Sequence, residues 1–234
     1  MRNVFSYAAG SLLVSAFLWG CNTPIGVDVP IGPLDYTVST ASLTIPDLLR
    51  DPATMTLRRV PCSSDSMCPQ LGPTDPAIRC VAMACDPDPF SFGLATDPVD
   101  LNANSVVARI GDHITRIEIR AVQYSVMANG LQLPLGPTDL LWGPATAATI
   151  DAPGVTALGT IPVLDLAASP SANGDVELDP AGVADLSNYL VNTARQIRYF
   201  VRPRIDVGPG TPLPSGNVQL SVRMTVHVEG QLVR

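Results

Sequence analysis

Near the carboxy terminus the chain reads Val218-Gln219-Leu220-Ser221-Val222-Arg223-Met224-Thr225-Val226-His227-Val228-Glu229. Apolar and polar residues alternate here without an error. A period of two is the period of a β-strand with one dry face and one wet face. Such a strand belongs to an antiparallel sheet packed on one side, because parallel strands are buried on both. The 23 prolines and 18 glycines break the rest of the chain into short pieces, and long helical periodicity is nearly absent. The expected fold is therefore mainly β: an antiparallel β-sandwich with one short helix and a disulfide-stapled insert.

Working back from this strand, Ile197, Tyr199 and Val201 alternate with Arg198 and Arg202 and predict another. Asp179-Pro180 predicts a helix start, with aspartate as N-cap and proline in the first turn. Val183, Leu186 and Leu190 share one face of that helix, which should end near Ala194. Ile161 to Leu166 reads as a short strand. Ile117, Ile119 and Ala121 form an alternating set whose phase then slips to Val122, Tyr124 and Val126. A one-residue slip in a period of two predicts a β-bulge. Asn129-Gly130 is a strong hairpin signal, so 114–136 reads as a hairpin returning through Leu131, Leu133 and Leu135.

In the amino-terminal half, β-branched residues from Tyr36 to Ile45 predict the first full strand. Pro46 to Leu49 reads as a helical turn, and Thr54 to Val60 as a second strand. Residues 21–35 are rich in Pro and Gly and read as a short tether. Val27, Val29 and Ile31 alternate with Asp28 and Pro30, which leaves an edge strand as the other reading. The insert 62–85 carries Cys62, Cys68, Cys80 and Cys85. Four cysteines in an exported chain imply two disulfides, and the spacing does not choose among the three pairings. Structural zinc sites favour tighter Cys-x2-Cys to Cys-x4-Cys knuckles, so no metal is expected. The insert joins no strand pattern, and its loss is expected to leave most of the sandwich folded.

At the amino terminus, Arg2 precedes an apolar run through Leu12, Leu13, Val14, Ala16, Phe17 and Leu18, closed by Leu18-Trp19-Gly20-Cys21. A small residue before a cysteine at the end of such a run resembles the lipobox of bacterial lipoproteins. The resemblance implies that Cys21 takes a diacylglyceryl group, that residues 1–20 are cleaved, and that the new amine is acylated. An uninterrupted apolar core from Leu12 to Trp19 is too short to span a bilayer. An ordinary signal peptide would need a small-x-small cleavage site. The expected organisation is a signal peptide over 1–20, a lipidated tether over 21–35, and a sandwich domain over 36–234. Asn22 is not the aspartate linked to inner-membrane retention, which favours the outer membrane.

Two weaker resemblances follow from local motifs. The insert is similar to short Cys-rich modules of secreted bacterial proteins, with their Cys-Ser-x-Asp-x-x-Cys start and Cys-x4-Cys end; these carry no known catalysis. Tyr124, Asn129-Gly130, the 180–194 helix and Leu213-Pro214-x-Gly216 resemble, in order, the β-sandwich of late-embryogenesis-abundant type 2 domains. That resemblance supports the sandwich and brings no catalytic residues with it.

The net charge of -7 argues against a nucleic-acid partner. Every one of the 14 basic residues is an arginine, so Schiff-base and P-loop lysine chemistry are excluded. His113 and His227 read as solvated residues. Asp100-x-Asn102-x-Asn104 has the alternating oxygens that open a calcium loop, but Ser105 and Gly111 stand where glycine and a bidentate glutamate belong. No catalytic residue and no cofactor are expected. The leading functional reading is a lipid-anchored, non-catalytic envelope protein with a structural, adhesive or ligand-binding role. Its partner would be an envelope protein or a polysaccharide, met by loops or by Arg223, His227 and Glu229. A carbohydrate-active or other extracytoplasmic hydrolase and a calcium-dependent module are the alternatives.

Overall fold

The computed structural model describes residues 23–41, 43, 45–70, 76–166 and 171–232. The expected signal peptide over 1–20 and Cys21 lie outside the described residues.

The alternating stretch forms strand Asn217–Leu232. Val218, Leu220, Val222, Met224, Val226 and Val228 are all buried, and Gln219 and Arg223 are exposed. This strand is the spine of a four-stranded antiparallel sheet. It pairs with Thr23–Ser39 on one side and Ile114–Asn129 on the other, and Asn173–Asp175 closes the far edge. The predicted bulge is present. Thr225 faces Ala121 and Val226 faces Ile119, so Arg120 is the extra residue and the buried set shifts from Ile117 and Ile119 to Val122, Tyr124 and Val126.

Several expectations are corrected. The tether is strand from Thr23 onward, paired from Thr23 opposite Leu232 to Ser39 opposite Asn217. Val29, Ile31, Leu34, Tyr36 and Val38 are buried, too apolar a set to stay in water. Its Pro24, Pro30 and Pro33 fit because the strand is an edge, where a missing N–H need not interrupt a ladder. Gly32 (φ +99°) and Pro33 form a bulge between Ile31 and Leu34. The strand ends at Ser39 rather than Ile45, and the strand expected over 54–60 shrinks to Thr56–Leu57, paired with Arg50–Asp51.

The 114–136 hairpin does not form. Asn129 Oδ1 accepts from the Leu131 N–H (2.9 Å), its Nδ2 donates to the Leu166 carbonyl (3.0 Å), and the Gly130 N–H donates to Asn217. The chain then crosses to the second sheet, burying Leu131, Leu133 and Leu135 on the way. Those three leucines are core, so the period of two was real even though the strand partner was not.

The second sheet runs Glu177–Leu178, Thr156–Ile161, Thr138–Pro144, Gln196–Arg202 and Leu94–Ala95, and Val99–Asp100 also pairs with Gln196–Arg202. The strand expected over 161–166 lies earlier, at Thr156–Ile161; Leu164 only bridges to Leu135. One core joins the two sheets, and Tyr199 Oη reaches Met224 Sδ across it at 3.4 Å. On the outer side of this sheet, Leu141 and Phe200 are covered by Ala147, Ile150 and Val155.

The helix predicted from Asp179-Pro180 is α2 (Pro180–Asn192), with the Asp179 carboxylate accepting from the Ala181 N–H at 3.1 Å. It buries Leu186 and Leu190, and its Gly182 lies so close to Ala157 that a Cβ there would fall 1.7 Å from the Ala157 carbonyl oxygen. A second helix, α1 (Ser105–Ile110), was not expected; its six residues are too few to show a period.

Candidate functional site

The four-stranded sheet turns a polar face outward. Asp28, His227, Glu229, Arg116, Glu118 and Arg120 form a chain of charges across three strands. His227 Nδ1 lies 2.6 Å from Asp28 and its Nε2 3.5 Å from Glu229. Arg116 meets Glu229 at 3.7 Å and Glu118 at 3.3 Å, and Arg120 meets Glu118 at 3.2 Å. The glycine register makes room for the imidazole, since a Cβ at Gly26 would come within 2.9 Å of it. His227 is thus held between two carboxylates rather than simply solvated. Exposed pairs of this kind each contribute little, from about 0 to 1 kcal/mol.

Arg223 stands apart from this chain. Among the described residues its guanidinium has no ion pair and no hydrogen bond. It borders an open groove of about 500 Å³ with Gln123, Tyr124, Ser125, Asn173, Gly174 and Asp175. Gln123 Nε2 donates to Asp175 Oδ1 at 3.1 Å, which orients both groups. The groove offers donors, acceptors and one free cation, a set suited to a hydroxyl-rich or anionic ligand.

The insert is built on two bridges, Cys62–Cys80 and Cys68–Cys85. Ile78–Val81 and Ala84–Pro87 form a hairpin between them, with Cys80 opposite Cys85. Cys62, Cys68, Cys85 and Ile78 lie in the main core, so the insert is part of the sandwich and not an appendage. The sequence showed no such membership, and the effect of losing the insert is a matter of prediction. The sulfurs of Cys62, Cys68 and Cys85 lie within 4.8 Å of one another, all already in disulfides; among the described residues this is the one set of three such metal-binding side chains so close.

A second groove, of about 330 Å³, lies beside the insert hairpin, lined by Val81, Asp86, Asp88, Asp206 and Gly208 among others. Asp88 meets Arg79 at 3.0 Å and Asp206 meets Arg204 at 3.6 Å. Asp86 has no side-chain partner among the described residues, and burial, with Asp88 nearby, pushes its carboxyl above the usual range. The hydrolase alternative asks for two carboxylates facing one cleft; two of these three are held by guanidinium groups.

The calcium-loop oxygens are spent locally. Asp100 Oδ1 accepts from the Asn102 N–H at 2.8 Å, and its Oδ2 takes the Gln196 amide at 2.9 Å. Asn104 caps α1 through the N–H groups of Val106 and Val107. His113 is exposed on a turn. Among the described residues, no helix is long and apolar enough to cross a membrane.

No family model matches the chain, and neither does any curated protein. Among solved structures, a chain from Desmodium yellow mottle tymovirus is similar over 100% of this chain and 97% of its own, at 13% identity and a TM-score of 0.31. At that score the likeness carries no argument.

Proposed function

We propose that this chain is an exported, lipid-anchored and non-catalytic binding module of the cell envelope, held by Cys21 in the outer membrane. The observation that carries the reading beyond the sequence is the register of the first strand. Among the described residues the pairing reaches Thr23, opposite Leu232. The acylated cysteine therefore stands two positions before a residue of the sheet. An anchor so close fixes an orientation: the Thr23 and Leu232 end rests against the bilayer, and the Ser39 and Asn217 end points away. At about 3.3 Å per residue, a 17-residue strand carries that far end about 50 Å from the surface. The two disulfides suit an oxidising compartment.

Recognition is assigned to the polar face, with Arg223, Gln123, Asn173 and Asp175 as contacts for an envelope polysaccharide. The acidic chain has no role on nucleic acid. Cys21→Ser removes the thiol needed for the thioether and should move the protein from the membrane to the soluble fraction, with loss of incorporated palmitate. Continued flotation with lipid would refute the anchor. Arg223→Ala should weaken retention on isolated envelope polysaccharide while Arg120→Ala does not; equal retention by both would remove the groove from the proposal.

A further inference from the structure

We infer that the tip of the disulfide-clamped hairpin, with the groove beside it, is a docking surface for a protein segment that presents a basic side chain next to an apolar one. The inference uses residues separate from the polar face and does not depend on the anchor at Cys21.

The starting point is a mismatch between turn and sequence. Val81 faces Ala84 across the hairpin, so Ala82 and Met83 form a two-residue turn, and both have positive φ, 49° and 60°. That geometry favours Asn-Gly, Asp-Gly or Gly-Gly, and side chains such as alanine and methionine are strained in it. Four attachments hold the turn nonetheless. They are the bridges Cys62–Cys80 and Cys68–Cys85, the Cys62 N–H donating to the Met83 carbonyl at 3.3 Å, and Arg59 donating to the Ala82 carbonyl at 3.3 Å. Strain that the surroundings enforce points to a use other than stability.

What the turn presents is apolar. Met83 is 76% exposed and Val81 52%. Methionine adapts its shape to varied apolar partners, which suits a recognition tip. The groove bordered by Val81 then names the partner's charge. Arg79 and Arg204 pair with Asp88 and Asp206, and Asp86, opposite Arg79 in the hairpin, is the groove carboxylate without an ion pair among the described residues. A lysine or arginine seated there, with an apolar neighbour on Met83 and Val81, satisfies both features. An anionic bilayer would meet these carboxylates with repulsion, and a second copy of a chain of net charge -7 would do the same.

The test uses the oxidised chain of residues 21–234 without acyl groups and a fluorescent peptide of alternating leucine and lysine, beside a control in which glutamate replaces lysine. Anisotropy should show the lysine peptide binding at least about tenfold more tightly than the control. The double variant Ala82→Asn with Met83→Gly installs the favoured turn pair. It should melt at a higher temperature and bind at least about fivefold more weakly, a combination that damage to the fold cannot produce. Asp86→Asn should weaken binding and flatten its salt dependence. Met127→Ser, at a residue 66% exposed elsewhere, should change nothing. Equal binding of the two peptides, or full affinity in the double variant, overturns the inference. So does tighter partition onto phosphatidylglycerol vesicles than onto the peptide, or self-association in the centrifuge that the double variant abolishes.

Discussion

At Gly182 the usual sign of a helix substitution is reversed. Alanine is a better helix former than glycine by up to about 1 kcal/mol. Here its Cβ would fall 1.7 Å from a backbone carbonyl oxygen of the neighbouring strand, so α2 must move off the sheet. Gly182→Ala should cost about 1–3 kcal/mol or more, the range of an overpacked core. Asn188→Ala, exposed on the same helix, should be neutral or slightly stabilising in the same thermal unfolding measurement. Asp86 gives a pH-dependent contrast. Burial, first, and Asp88, second, raise its folded-state pKa above the unfolded one. The folded chain therefore binds the proton more readily, and that contribution to stability is present below the unfolded value and lost as pH rises through the folded one. Asp86→Asn should be more stable than the parent at pH 7, with the difference shrinking toward pH 4 in urea unfolding. Asp51 runs the other way. The Ala53 N–H holds its carboxylate below the usual range, so Asp51→Ala should lose stability at neutral pH and match the parent in acid. None of these positions stood out in the sequence. The His227 contact shows why: Asp28 is 199 residues away, and only the register of two strands brings them together.

Elements were legible where one period ran long enough to be read. The carboxy-terminal strand, its bulged neighbour and α2 each announced themselves through apolar spacing and a cap. Partners were not legible, because pairing is decided by contacts far along the chain. Asn129-Gly130 has the residues of a tight hairpin, yet Asn129 is taken by Leu131 and Leu166, and the strand it ends pairs instead with residues 218–230. The first strand was obscured by its own prolines, which a tether and a sheet edge share. The one-sided burial of the last strand is testable. Val222→Asp places a charge where the side chain is fully buried, which costs several kcal/mol and rivals a whole domain's stability of about 5 to 15. Arg223→Glu, one residue on, touches only the wet face and should cost about 0.5 kcal/mol or less. Equal losses of melting temperature would mean that both faces are buried.

For the molecule as a whole, the insert is a structural member rather than an ornament. Its sequence shows cysteines, serines and prolines with no period, and so no hint of where its apolar atoms go. In the fold, Cys62, Cys68, Cys85 and Ile78 are buried in the core that both sheets share, and Ala84 and Cys85 are tied to Pro61 and Val60. The bridges close intervals of 18 and 17 residues. By loop-closure entropy each is worth about 3 kcal/mol, so together they are comparable to the entire stability of an ordinary domain. Reduction should therefore do more than loosen one corner. Intact mass should rise by about four protons, two per bridge, and no thiol should react before reduction. The reduced chain should lose the near-ultraviolet signals of its buried tyrosines and melt far below the oxidised form, in one transition that includes the four-stranded sheet. If reduction instead lowered the melting temperature by only a few degrees and left the sheet signals intact, the insert would be separable and its cysteines would not belong to the common core.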